Sequence, residues 1–295
     1  MNYKQAVDNI RKELKEYVEG AQLKSLVLGI SGGIDSTLVA LLAKPVCDEL
    51  NIPLIGRSLP TSSNAGGENS RASEIGELFC TDFKETDIHS QFVDLAYMVY
   101  EDKGFIGEGT GHPHGDSRVI QNGNIKARIR MIYLYDLASV NKGLVLSTDN
   151  YTEYLLGFWT LHGDVGDYGM IQEMWKTDVY GLTEWIMWEE YKSSEERSAI
   201  QKVIDADATD GLGISNTDLD QILPSWEGSS RDGYFKVDEI LKGFNMLLKN
   251  AAKTPKVIKA MDKLSESPVI QRQIRTEFKR KNPLNIPINK INPES

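Results

Sequence analysis

Cysteine is scarce in this 295-residue chain: only Cys47 and Cys80 are present, and they do not form a Cys-x-x-Cys pair. That argues against a disulfide framework or a thiolate zinc site and makes a reducing cytoplasm the expected compartment. Histidine is scarce too, with four in all, and the one close pair, His112-Pro113-His114, has no cysteine beside it to make a metal site. No apolar run is long enough to span a bilayer, and the N-terminus, Met1-Asn2-Tyr3-Lys4-Gln5-Ala6-Val7, lacks the apolar core of a signal peptide. Neither a membrane partner nor export is expected. Positive charge is also in deficit: 33 Lys and Arg stand against 43 Asp and Glu, a net charge of −10. Nucleic acid, held mainly by clustered Lys and Arg, is therefore not an expected partner. An anionic substrate must be drawn into a local basic pocket against the overall field. No internal repeat or low-complexity block is present.

What the chain does have is an apolar run joined to a glycine turn. Leu26 to Ile30 suit a strand covered on both faces, and Asp35 to Ala43 read as a helix. Between them, Gly32 and Gly33 permit positive φ and let an anion approach the backbone, so that the free N–H groups of the following helix point at it. Ser31 and Ser36 add hydroxyl donors. The turn has neither the Gly-Lys-Ser/Thr ending of a Walker loop nor the Gly-x-Gly-x-x-Gly of a dinucleotide fold. Asp35 inside such a cradle would repel a phosphate unless a cation lay between them, which points to Mg²⁺ bridging Asp35 to phosphate oxygens. A plain strand-to-helix turn with a capping aspartate is the bland alternative.

Elsewhere, Ala6, Ile10, Leu14 and Val18 predict an amphipathic helix over residues 2–20. Strands are expected at Leu54–Leu59, Thr81–Ile88, Leu144–Leu146 and Ile171–Trp175, with helices at Glu68–Phe79, Ser90–Tyr100 and Thr177–Tyr191. Alternating strands and helices imply right-handed parallel crossovers, hence a doubly wound α/β sheet with its ligand at the carboxyl ends of the strands. Residues 103–124 read as a long Gly-rich lid. Asn124 to Tyr133 then open a helix with Lys126, Arg128 and Arg130 near its positive end, a placement that calls for an anionic partner. Beyond residue 195 the pattern is helical, broken at 205–215 and 224–233, and the chain from Lys281 is expected to be extended.

The Ser31-Gly32-Gly33-Ile34-Asp35-Ser36 stretch resembles the loop of the ATP pyrophosphatases, adenylating enzymes that split ATP into AMP and pyrophosphate. Further segments select a member. Lys126-Ala127-Arg128-Ile129-Arg130-Met131, Ser147-Thr148-Asp149 followed by Glu153, Gly157-Phe158, and Gly163-Asp164-Val165-Gly166-Asp167 resemble the motifs of ammonia-dependent NAD synthetases, in the same order and at similar spacing. Trp175-Lys176-Thr177, Leu212-Gly213-Ile214 and Thr276-Glu277-Phe278-Lys279-Arg280 extend the likeness over roughly residues 1–282.

The resemblance implies a Rossmann-like fold of the adenine nucleotide alpha hydrolase type, with helical additions at both ends over residues 1–282 and a tail at 283–295. It implies ATP and Mg²⁺ as co-substrate and cofactor, and deamido-NAD⁺ and ammonia as the remaining substrates. On this basis Gly29, Ile30, Ser31, Gly32, Gly33, Ile34, Asp35 and Ser36 hold the phosphates. Asp35 and Glu153 share the metal, Thr148 and Lys176 contact ATP, and Arg128, Asp167 and Lys279 bind deamido-NAD⁺. Asp35, Glu153 and Lys176 are the expected catalytic set. The chain departs from the family at Leu161 and Phe278, which replace a Lys and a His, and in a shortened segment at 203–210 where an ATP-contacting threonine belongs. Arg57 lies beside the position of a family ATP-contacting arginine. No part of the 295 residues is left for a glutaminase domain, so free ammonia is the expected donor, with a glutaminase on another chain as the alternative. Family members are usually homodimers, and the N-terminal stripe, if not simply packing surface, would suit such an interface. The rival readings are another adenylating amidotransferase of the GMP synthetase kind and a non-catalytic nucleotide-binding relative.

Overall fold

The apolar run after Lys24 becomes the central strand of a five-stranded sheet in the computed structural model, which describes residues 1–61, 66–101, 116–209, 217–249, 255–283 and 285–286. The strands are β1 (Ser25–Gly29), β2 (Leu54–Ser58), β3 (Asp82–Glu85), β4 (Gly143–Ser147) and β5 (Tyr168–Gly169), in the order β3-β2-β1-β4-β5. All neighbours pair in parallel, Val27 opposite both Ile55 and Val145. The expected doubly wound sheet is therefore formed. The chain winds outward from β1 to β2 and β3, then returns to place β4 on the other side of β1, so a crevice opens at the carboxyl ends of β1 and β4.

Side chains alternate across this sheet as strand geometry requires. Leu26, Leu28, Leu144 and Leu146 enter the larger core with α2 (Ile34–Leu50), α3 (Gly66–Phe79) and α7 (Lys176–Glu189). Val27, Ile55 and Val145 face the other way, onto Leu134 and Ala138 of α5 (Asp116–Val140). The helix expected over 35–43 runs on to Leu50 through Pro45. A proline there removes the N–H that would bond the carbonyl of Leu41. Arg11 of α1 (Tyr3–Gly20) supplies the missing donor, its Nη2 lying 3.0 Å from that oxygen.

The stripe of α1 buries Val7, Leu14 and Val18 in the core, the packing surface that its spacing suggests. Three expectations need correction. Residues 116–124 belong to α5, and the basic residues at 126–130 therefore sit in mid-helix, away from the helix end whose field was expected to matter; the rest of the expected lid, 103–115 with its two histidines, lies outside the described residues apart from this. The last strand is Tyr168–Gly169, not Ile171–Trp175. Ile171 and Met174 are buried, but in a turn closed by Met174 N–H on the Ile171 carbonyl, because Asp167 has already joined the backbone of Val145 and set the register. Finally, the break expected at 224–233 ends early, since Ser229 Oγ accepts the N–H of Asp232 and starts α9 (Ser230–Lys249).

The third strand is shorter than its sequence pattern suggests and its exposed edge carries Lys84 and Glu85, charges that discourage edge pairing. α4 (His89–Glu101) packs on α5. The remaining elements are α6 (Tyr151–Leu156), α8 (Ser194–Ile204), a 3₁₀ turn at Asp218–Gln221, α10 (Pro255–Ser265), α11 (Pro268–Arg275) and α12 (Glu277–Arg280). The C-terminal helices are tied back to α6: Arg272 Nε donates to Leu156 O at 2.9 Å and Arg280 Nη1 to Leu155 O at 2.6 Å. Cys47 and Cys80 are free thiols. Among the described residues no helix is long and apolar enough to cross a membrane.

Candidate active site

The turn after β1 is shaped by its own hydroxyls. Ser36 Oγ donates to Gly33 O at 3.1 Å and accepts the Ser31 N–H at 3.3 Å, while Thr37 Oγ1 donates to the same carbonyl at 2.9 Å. Gly32 has φ +78°, and a Cβ there would lie 2.3 Å from the Glu68 carbonyl of α3, so only glycine fits. The Gly32 carbonyl is held by Arg71 Nε at 3.0 Å. Gly33 caps α2 without a side-chain hydrogen bond, which leaves the first turn of that helix directed at the crevice.

Three charged residues from separate elements meet beside this turn. Asn150 caps α6 by accepting the Glu153 N–H at 3.0 Å, and its Nδ2 donates to Asp35 Oδ1 at 2.8 Å. One side chain thus joins the first turn of α6 to the first turn of α2. Lys176 opens α7 at 2% exposure, and its ammonium donates to Asp35 Oδ2 and, at 2.7 Å, to Glu153 Oε1. Tyr234 of α9 lies beneath it, with its ring centroid 5.2 Å from Nζ. Burial works against the ammonium charge, but Asp35 and Glu153 outweigh it and hold Lys176 well above its ordinary value. Burial, and then the charge of Asp35, push the Glu153 carboxyl up. Two largely buried carboxylates thus share a single ammonium, an arrangement that favours a further positive charge.

The cluster opens into a cavity of about 270 Å³ at the carboxyl ends of the strands. Of the residues expected to bind ATP, Gly29, Ile30, Ser31, Gly33, Ile34, Asp35, Thr148 and Lys176 line it, as does Glu153. Gly32 and Ser36 are not in its wall; they shape the turn from behind. Arg128, Asp167 and Lys279 also lie outside the wall, on and around the loop that follows α6. Arg128 donates to Leu161 O at 3.1 and 3.2 Å, and Lys279 Nζ donates to Trp159 O and, at 2.7 Å, to Gly157 O. Burial pushes the Lys279 ammonium down to about 8, against the charge of Asp164. Asp167 bonds the backbone of Val145 through its carboxylate at 3.0 Å and its N–H at 2.7 Å, tying β5 to β4.

The wall also contains Arg130, Asp164, Thr209 and Arg57, none of which is among the binding or catalytic residues expected from the resemblance. Arg130 faces the cavity and donates from Nε to Leu59 O at 3.0 Å. Two residues on a helix are about 200° apart, so Arg128 and Arg130 face opposite sides and only the second reaches the cavity. Burial lowers the Arg130 pKa against the charges of Glu68 and Asp164. Asp164, held by the Thr160 N–H at 2.8 Å, is pushed up to about 7 by burial and by Asp149. Thr209, in the shortened segment, lines the cavity and donates to the Glu68 carboxylate. Arg57 is in the wall too, but its guanidinium is committed to Gly56 O at 2.7 Å and to the Asp82 carboxylate at 2.9 Å. The helical period sets Arg128 and Arg130 on opposite faces but does not say which of them meets the cavity. The partners of Thr209 and Arg57 depend on distant elements and leave no local signal.

Residues 6–283 match the family model described as NAD synthase. The NH(3)-dependent NAD(+) synthetase of Campylobacter jejuni is 28% identical over 256 residues, covering 86% of this chain and 96% of that protein. That of Thermoplasma acidophilum is 30% identical over 244 residues, 81% and 84% of the two chains. Among solved structures, an NMN synthetase from Francisella tularensis superposes with a TM-score of 0.70 at 21% identity, covering 97% of this chain and 99% of that one. That likeness concerns the fold.

Proposed function

The chain belongs to the NAD synthase family, and we propose that its crevice activates the nicotinate carboxylate of deamido-NAD⁺ with ATP and amidates it with ammonia. ATP transfers its adenylyl group to the carboxylate and pyrophosphate departs. Ammonia then attacks the acyl adenylate, giving NAD⁺ and AMP. The observation that carries this reading is the Lys176 ammonium held between Asp35 and Glu153 at the edge of an anion-binding turn. A carboxylate is a poor electrophile, so the protein must bring two anions together and offset charge on the leaving pyrophosphate. The α2 N-terminus and the turn from Gly29 to Gly33 receive the phosphates, with Ser36 and Gly32 fixing the turn. Lys176 offsets charge as it develops, and Thr148 and Thr209 offer hydroxyls along the same wall. No side-chain nucleophile is required, because ammonia is the attacking group.

The donor set suits Mg²⁺. Asp35 and Glu153 aim two hard oxygens at one point, and among the described residues no group of three or more His, Cys, Asp or Glu is placed to hold a metal alone. Such a pair holds Mg²⁺ together with substrate phosphates and water. The metal would neutralise phosphate charge beside the acyl oxygen. Arg128 and Lys279 meet on the backbone of residues 157–161, just before Asp164 of the cavity wall, which supports a deamido-NAD⁺ site on that side. A homodimer is supported by the apolar outer face of α4 and α5, where Met98 is 62% and Ile132 68% exposed. Two free thiols suit the cytoplasm.

The test is a purified-protein assay with ATP, Mg²⁺, ammonium and deamido-NAD⁺. NAD⁺ and AMP should form in equal amounts, and glutamine should not replace ammonium unless a glutaminase is added. ATP consumption that is equal with and without deamido-NAD⁺ overturns the proposal. One observation favours a smaller acceptor, nicotinate mononucleotide, which has the same reacting carboxylate. Leu161 and Phe278 are apolar at positions where the resemblance implies a Lys and a His, and Phe278 is exposed. A higher kcat/KM for the mononucleotide establishes that reading.

A further inference from the structure

We propose that Asp238 is the positioning residue of this site: from α9 it fixes the two backbone ends from which Lys176 and Glu153 project. Lys176 is the first residue of α7, and the N-cap, Trp175, makes no side-chain capping bond. The orphan N–H groups of that helix end need acceptors from elsewhere. Asp238 Oδ2 accepts the Thr177 N–H at 2.9 Å, although it lies 61 residues further along the chain. Its other oxygen, Oδ1, accepts the Thr152 hydroxyl at 2.5 Å, and Thr152 Oγ1 in turn accepts the Lys176 N–H at 2.9 Å.

Thr152 immediately precedes Glu153, so this short relay binds the start of α6 to the start of α7. Asp238 is 1% exposed, Thr152 is fully buried, and every bond in the relay runs donor to acceptor in one direction. A lysine at the first position of a helix meets the positive end of the helix dipole, and a buried carboxylate beside the same end offsets that field. One turn earlier on α9, Tyr234 places its ring against the Lys176 ammonium. The helix therefore holds Lys176 at its backbone through Asp238 and at its tip through Tyr234. Loss of the relay frees the α6 and α7 ends to shift relative to each other, and a displacement of about 1 Å in such a site costs rate by about 100-fold without removing any group that touches substrate.

The inference rests on the reading of Lys176 and Glu153 as groups that touch ATP. The test compares Asp238→Asn, Thr152→Val, Thr152→Ser and the double variant Asp238→Asn/Thr152→Val in full-length protein, measuring kcat, both KM values and melting temperature. An asparagine offers one acceptor oxygen where the relay needs two. Asp238→Asn and Thr152→Val should each lower kcat by about 10- to 100-fold with KM for the acceptor within about twofold of wild type. The double variant should be no slower than the slower single, because both act through one relay, and Thr152→Ser should keep the wild-type kcat. Overturning results are an Asp238→Asn kcat close to wild type, or a double-variant loss equal to the product of the single losses. If Asp238→Asn does not fold, the threonine variants decide: equal kcat for valine and serine refutes the relay. Wild-type protein that forms no AMP from ATP with either deamido-NAD⁺ or nicotinate mononucleotide overturns the functional reading and this inference with it, whereas active wild type with fully active Asp238→Asn overturns the inference alone.

Discussion

Replacing Lys176 by methionine keeps the length of the side chain and deletes its charge, leaving Asp35 and Glu153 to face each other. The ammonium lies 2.7 Å from Glu153 Oε1, and the side chains of Lys176, Glu153 and Asp35 are only 3%, 15% and 16% exposed. At an effective dielectric constant of about 20, a contact near 3 Å is worth about 5 kcal/mol of gross attraction, before the cost of desolvating the partners. Removing one partner of a buried ion pair typically destabilises by about 3–5 kcal/mol, because the remaining charge is left uncompensated. For a chain of 295 residues that loss lowers the melting temperature by about 5–8 °C. The loss also depends on pH. Burial and Asp35 already push the Glu153 carboxyl up, and without the ammonium it rises further, so the folded variant holds a proton that the unfolded chain releases. A folded state that binds more protons loses stability as pH rises, and the deficit relative to wild type therefore widens from acid to alkaline buffer. Mg²⁺ should narrow it, since the bare carboxylate pair regains a cation. Thermal melts of both proteins across this pH range, with and without MgCl₂, provide the assay. A melting temperature within about 1 °C of wild type in alkaline, metal-free buffer refutes the reasoning.

Two other outcomes are specific to the crevice. Gly32→Ala introduces a Cβ at φ +78° and 2.3 Å from the Glu68 carbonyl, so it should cost about 1–3 kcal/mol in strain and weaken ATP binding; unchanged melting and KM for ATP contradict the tight turn. Asp164 is pushed up to about 7 by burial and Asp149, so its contribution to stability is present below its unfolded pKa of about 4 and is lost as pH rises towards 7. Asp164→Asn cannot titrate, and its unfolding free energy relative to wild type should climb by up to about 4 kcal/mol over that window. Denaturant curves for the two proteins that keep a constant offset from acid to neutral pH overturn the assignment.

The parallel sheet was legible because its signals are local: the apolar runs at 26–30, 54–59 and 144–146 became β1, β2 and β4. The run at 171–175 misled, because a short buried apolar segment looks the same in a strand and in a packed turn. Its neighbour Tyr168–Gly169 took the ladder instead. The mostly polar composition of 116–124, with its one glycine at Gly123, concealed the first turns of α5, whose buried apolar residues begin at Ala127. At the site, Asp35, Glu153 and Lys176 were found through their motifs, and the structure brings them together. What the motifs do not encode is which face of α5 meets the crevice, why Asn150 ties α6 to α2, or how Asp238 reaches α7 from a helix 61 residues beyond Thr177. Those facts arise from packing between distant elements.

The measurement that bears most directly on adenylation is the fate of oxygen in the acceptor carboxylate. Deamido-NAD⁺ carrying ¹⁸O in its nicotinate carboxyl group, turned over with ATP, Mg²⁺ and ammonia, should deliver one labelled oxygen to the phosphate of AMP, because the carboxylate oxygen attacks the α-phosphorus and leaves with it. Unlabelled AMP, or label recovered in orthophosphate beside ADP, would contradict an acyl adenylate formed at the Asp35–Glu153–Lys176 cluster.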